Sequence, residues 1–271
     1  MRSLSRILGS IAALLATLLC VEVAQAQHAR PPRASGSSRR PARPRVPPSA
    51  SLGWANSGTL QFGRHLAESE EVRFLPGRVL HWGTDELVGL LERVGAATHR
   101  RFGARLTVGD LSAQHGGPVG RHRSHQSGRD ADVCFLARHA TARGNGAPVD
   151  LDDYVSFDAN GRSLDGRYVF DTARNWGIVE ALLSDRRVGV ERVFISSPLR
   201  ARLLAFGREH GASQGFLDRV ALTLLQPRNV SPHDNHFHVR IGCSAGDPQC
   251  REGVRARRVV RRRPARRAAR R

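Results

Sequence analysis

Two short segments concentrate the side chains that could hold a metal or move a proton. Residues 124–132 read Ser-His-Gln-Ser-Gly-Arg-Asp-Ala-Asp, and residues 233–240 read His-Asp-Asn-His-Phe-His-Val-Arg. Zinc takes nitrogen and oxygen ligands at about 2.0–2.2 Å, and a catalytic ion keeps one position open. A strand supplies two such ligands economically at i and i+2, because alternate side chains share a face. His236 and His238 meet that condition, with Phe237 and Val239 turned the other way into a core. His125 and Asp132 could join them from a loop and the strand that follows, which makes four candidate ligands. A His-x-His pair alone is more often an incidental surface feature, and the spacing of His125 and Asp132 carries little by itself. Their combination carries more, because Gly116, Gly117, Gly120 and Gly128 make a tight loop that also holds His115 and His122.

Other hydrolytic designs are missing from the chain. It has no His-Glu-x-x-His helix, and its Gly-x-Ser-x-Gly string at Gly211–Gly215 follows a helix rather than a strand, so it is no nucleophile elbow. Cys134 sits in the apolar run Val133-Cys134-Phe135, which suits a buried thiol better than a nucleophile.

The elements that must position these groups are readable in outline. Residues 84–101 place Leu87, Leu90, Leu91 and Val94 at helical spacing behind Thr84 as N-cap. Residues 105–111 and 131–136 read as strands. Asp171 caps a helix whose apolar face runs through Ile178, Val179, Leu182 and Leu183. Residues 190–196 form a strand, a helix starts at Pro198 behind Ser197 and stops near Gly211, and residues 236–241 alternate strictly. Helices and strands mix without a regular βαβ rhythm. The expected fold is α+β: a single compact domain whose small central antiparallel sheet carries the metal site, flanked by helices.

Both ends of the chain differ from this middle part. Arg2 and Arg6 precede an apolar run and then Ala24-Gln25-Ala26, so residues 1–26 read as an export signal cleaved after Ala26. That predicts a periplasmic or secreted protein. Residues 27–50, rich in Pro, Ser, Ala and Arg, are expected to form a disordered linker, and residues 251–271 a disordered Arg-rich tail. The formal charge is +19, yet between residues 51 and 250 there are 24 Arg against 22 acidic residues, so the excess belongs to the ends. Without a basic stripe interleaved with aromatics in the middle, and with export expected, no nucleic-acid partner is predicted. The tail suits an anionic wall polymer or a membrane surface, or is a solvated extension. Cys243 and Cys250 are spaced to close a short disulfide loop in an oxidising compartment.

The order His-x6-Asp followed far downstream by His-x-His resembles the zinc peptidases of the lysostaphin, D-Ala-D-Ala peptidase and hedgehog-like superfamily. Within it, the chain is similar to the penicillin-insensitive murein endopeptidases. The resemblance runs through Val108-Gly109-Asp110-Leu111, Ser124-His125-Gln126-x-Gly128-x-Asp130-x-Asp132 and Phe170-Asp171. It continues in Val193-Phe194-Ile195 and His233-x-x-His236-x-His238-Val239-Arg240, ends at Cys243 and Cys250, and covers residues 51–250 as one catalytic domain.

The resemblance implies roles residue by residue. His125, Asp132 and His238 take the three zinc-ligand positions, which leaves the fourth open. His236 becomes the general base beside the metal rather than a ligand. His233 is implied as an outer partner of the site, and Asp130 as the anchor of the loop or of a ligand. His122 and Asp165 fall where the family can hold a second metal, but the partner position there is Tyr168, so one zinc ion is implied. The implied reaction is hydrolysis of peptide cross-links in peptidoglycan, such as the D-alanyl-diaminopimelate bond. A D-Ala carboxypeptidase or dipeptidase, or a non-catalytic wall-binding module, are the alternatives on the same scaffold.

Overall fold

A computed structural model describes residues 47–142, 146–228 and 230–255. The expected signal peptide, most of the expected linker and the tail beyond residue 255 lie outside the described residues. In chain order the first elements are β1 (Ala50–Trp54), β2 (Ser57–Gln61), β3 (Arg64–His65), β4 (Val72–Phe74), β5 (Trp82–Gly83), α1 (Asp85–Phe102), β6 (Leu106–Val108) and β7 (Asp130–Cys134). There follow β8 (Ala137–His139), β9 (Tyr168–Phe170), α2 (Thr172–Ser184), β10 (Val190–Phe194) and α3 (Ser197–Glu209). The last are α4 (Gln214–Thr223), β11 (Leu224–Leu225), β12 (His236–Ile241) and β13 (Cys250–Arg251). The fold is α+β, as expected.

The largest sheet has six strands in the order β11-β10-β12-β7-β6-β4. Its four central strands pair antiparallel, and a parallel strand is added at each edge, so the sheet is wider and more mixed than the sequence suggests. In the centre β12 pairs with β7 so that His236 faces Cys134, His238 faces Asp132 and Arg240 faces Asp130. The residues between them, Phe237 and Val239 opposite Val133 and Ala131, are fully buried and join the helices in one apolar core. The alternation of β12 thus splits the sheet into a helix-covered face and a face that carries histidines and carboxylates.

The helices begin close to where local chemistry says they should. Thr84 Oγ1 accepts the Leu87 N–H at 3.3 Å, Asp85 and Glu86 occupy the first turn of α1, and Arg100 and Arg101 its last. Leu87, Leu90, Leu91 and Val94 are buried along its inner face. Asp171 accepts the Arg174 N–H at 3.0 Å and starts α2, which buries Trp176, Ile178, Val179 and Leu182. Helix α4 went unforeseen, because only Leu217 and Val220 of its ten residues bury large apolar side chains.

Two boundaries move. Ser49 and Ala50, which composition assigns to the linker, belong to the fold: Ser49 Oγ accepts the Asp85 N–H at 2.6 Å, and Ala50 opens β1. Arg251, assigned to the tail, pairs in β13 with Trp54. Composition registers neither pairing, because both partners are distant in sequence. The Cys243–Cys250 disulfide is formed, with Cα atoms 5.7 Å apart. Cys134 is a buried free thiol, and burial pushes its pKa up.

Candidate metal centre

Strand β7 brings Asp132 and strand β12 brings His238 directly opposite one another, on the face away from the helices. His125 arrives from the loop before β7, with its backbone in the left-handed region at φ 65°. Such a conformation costs a non-glycine residue on the order of 1–3 kcal/mol and persists only where its surroundings hold it. Here Asp130 Oδ2 accepts the His125 N–H at 3.3 Å, and the Leu111 carbonyl accepts from His125 Nδ1 at 2.7 Å.

These bonds set the tautomers. With Nδ1 of His125 donating to Leu111, its Nε2 presents a lone pair. His238 Nε2 donates to Asp130 Oδ1 at 2.8 Å, which leaves Nδ1 as its lone-pair nitrogen. Asp130 Oδ1 also accepts from Arg240 Nε at 2.7 Å. Burial opposes ionisation of Asp130, yet Arg240 and His238 hold its carboxyl well below the usual carboxylate range. The same partnership raises the pKa of His238 despite its burial.

Asp132 Oδ1 is buried and accepts no hydrogen bond. It lies 3.3 Å from His125 Nε2 and 3.2 Å from His238 Nδ1, and those two nitrogens are 3.4 Å apart. In the neutral tautomers these bonds favour, three atoms able to offer a lone pair to a metal therefore face one another. Ligands about 2.0–2.1 Å from a tetrahedral ion stand roughly 3.3–3.4 Å apart, so the donor set and its spacing fit zinc. Burial works against a charged Asp132, but His125 and His236 hold its pKa well below the ordinary value.

His236 approaches the same oxygen, with Nε2 at 3.4 Å from Asp132 Oδ1. It is more open to solvent than His125, with 15 % of its side chain exposed against none. Asn235 Oδ1 accepts from its Nδ1 at 2.6 Å, the tautomer that turns the Nε2 lone pair of a neutral ring toward the cluster. His233, at φ 57°, donates Nδ1 to the Ser231 carbonyl at 2.9 Å and sets its ring 5.0 Å from His236 and 5.5 Å from His238. Burial and those two neighbours push the pKa of His233 down to about 4. His122 is also here: Nε2 bonds Asp110 Oδ2 at 2.9 Å, and Nδ1 lies 3.8 Å from Asp132 Oδ2.

Asp165 is not brought to this cluster. Its carboxylate is used within its own turn by Ser163 and Arg167, which hold its pKa down at about 2, and Tyr168 pairs with His139 in β9. Conversely, Asn235 and Tyr154 line the site without having been singled out. Asn235 lay in plain view between two histidines, whereas no local signal marks Tyr154, 22 residues from Asp132.

The sequence pattern of the penicillin-insensitive murein endopeptidases matches residues 51–258. The chain is 26 % identical over 177 residues to a protein of Klebsiella pneumoniae named penicillin-insensitive murein endopeptidase. That alignment covers 64 % of this chain and 58 % of the relative. Proteins of the same name from Pectobacterium atrosepticum and Haemophilus influenzae are 27 % and 25 % identical, with 64 % and 63 % of this chain covered. The chain spans 56 % and 54 % of the length of those two relatives. The matched region contains every donor of the buried cluster, and the chain belongs to the penicillin-insensitive murein endopeptidase family.

Proposed function

We propose that this chain is an exported zinc metallopeptidase that hydrolyses peptide cross-links of peptidoglycan, such as the amide from D-alanine to diaminopimelate. One observation carries the reading. Asp132 Oδ1, His125 Nε2 and His238 Nδ1 form a buried trio of possible ligand atoms with the spacing of ligands around one ion. The names of the relatives supply the substrate class, and the export signal expected at residues 1–26 would suit it.

In this reading His125, Asp132 and His238 hold a single zinc. The chemistry a bound zinc supplies is polarisation of the scissile carbonyl and acidification of a water to a pKa of about 7. His236 is the general base. Its Nδ1–H is fixed on Asn235, so Nε2 is free to take a proton from the attacking water, and an imidazole does this well near neutral pH. Once protonated, the same ring can steady the oxyanion and then return the proton to the leaving amine. Asp130 keeps His238 in the tautomer that presents Nδ1. His233 stays neutral beside His236 and adds no competing charge. The Arg-rich tail is left with anionic wall polymers or a membrane surface.

The test is metal analysis of purified protein together with mass spectrometry of products released from sacculi. Wild type should carry one zinc and release cleaved cross-links. His125→Ala and Asp132→Ala should lose zinc and activity together, and His236→Ala should keep zinc and lose turnover. Wild-type protein without zinc or without released muropeptides overturns the reading. Products only from uncross-linked stems would instead identify a carboxypeptidase or dipeptidase, and binding to sacculi without cleavage a wall-binding module.

A further inference from the structure

Tyr154 lies in the long connection between β8 and β9, outside every motif that the histidines define. Its hydroxyl is 3.4 Å from Asp132 Oδ2 and donates to it. Its ring packs 4.7 Å from the ring of His236, and the Arg78 guanidinium lies 4.7 Å over it. Arg78 in turn bonds Asp110 Oδ2 at 3.3 Å, the oxygen that receives His122. The phenol is therefore gripped by groups that already surround the cluster.

Gly109 makes room for it. A Cβ at that position would stand 1.9 Å from the Tyr154 hydroxyl and 2.9 Å from the ring carbon that bears it. The backbone of Gly109 is itself tied to the same place, because its N–H donates to the Asp132 carbonyl at 2.8 Å. A residue larger than glycine would force the hydroxyl off Asp132.

The two oxygens of Asp132 consequently differ. Oδ2 has a donor in Tyr154, whereas Oδ1 is buried, has none, and faces His125 and His238. We propose that Tyr154 is a positioning residue that occupies Oδ2 and so holds Asp132 as a single-oxygen ligand through Oδ1, with Gly109 as the seat of the phenol. The proposal rests on the zinc reading above. Outer partners of ligand carboxylates are worth about 10–100-fold in metal affinity or activity.

The experiment measures zinc dissociation constants by chelator competition, and kcat and KM on cross-linked muropeptides, for wild type, Tyr154→Phe, Gly109→Ala and the double variant. Tyr154→Phe keeps the ring and removes the donor. It should unfold at the wild-type temperature, bind zinc about 10-fold more weakly, and lower kcat with KM little changed. Gly109→Ala should weaken zinc binding in the wild-type background and add much less in Tyr154→Phe. An unchanged zinc affinity in Tyr154→Phe overturns the proposal, as does an equal effect of Gly109→Ala in both backgrounds. Wild-type protein that binds no zinc removes the underlying reading, an outcome distinct from either.

Discussion

The donors of the cluster come from two kinds of scaffold, and they are held differently. Asp132 and His238 are opposed in the β7–β12 ladder, so strand register brings them together. His125 and His233 come from loops, and both sit in left-handed backbone that specific bonds must hold: the Leu111 carbonyl and Asp130 for one, the Ser231 carbonyl for the other. Register comes with the sheet and costs the site nothing further. Loop placement needs individual contacts, and several of them reach far along the chain.

The sharpest way to break this contrast is at Asp130, which serves both sides. It takes His238 and Arg240 from the sheet and the His125 N–H from the loop. Asp130→Ala leaves a buried cation without its partner, and such losses cost about 3–5 kcal/mol. Urea denaturation should read a loss of that size, together with loss of zinc. A loss below about 1 kcal/mol would mean that the ladder alone holds the site.

Reduction of the disulfide tests a remoter support. Closing an eight-residue loop is worth about 2–3 kcal/mol by chain entropy. Strand β13 also supplies the Arg251 carbonyl that accepts from the buried Arg129, next to Asp130, at 2.8 Å. The reduced protein should lose about that stability in thermal unfolding yet keep its zinc below the transition, because the β7–β12 register is untouched.

Gly128→Ala addresses the loop directly. Gly128 stands at φ 76°, and an added Cβ would come within 2.6 Å of Leu60. The expected cost is about 1–3 kcal/mol. Zinc affinity should fall with it, since His125 shares that loop, and chelator competition beside a denaturation curve checks both.

The last effect is pH-dependent and concerns His233. Its pKa is lowered to about 4 in the fold, against about 6.5 in an unfolded chain. Between those values the unfolded state binds more protons, so this residue makes stability rise with pH across the window and fall as acid is added. In metal-free protein, His233→Asn should flatten the change of urea midpoint between pH 6.5 and 4. An equal slope in both proteins would place no neutral buried histidine there.

Much of this was open to reading along the chain. Alternation through residues 236–241, the Thr84 and Asp171 caps, and the two histidine-bearing segments are local signals, and the structure carries each of those elements nearly where periodicity puts it. The resemblance of residues 51–250 to a family was legible for the same reason, since ordered motifs survive without coordinates.

What the chain order concealed is equally specific. No local pattern sets Asp132 against His238 across more than a hundred residues, opposes Arg240 to Asp130, or seats Tyr154 on Gly109. Asp165 shows the converse, because the family resemblance implied a place beside His122 for a carboxylate that instead bonds within its own turn. The residue types able to bind a metal were determined by sequence, through their chemistry and their two-residue period. Which lone pairs face one another was decided by the tertiary structure, because tautomer, burial and ligand spacing arise only when distant backbone segments pair and exclude water.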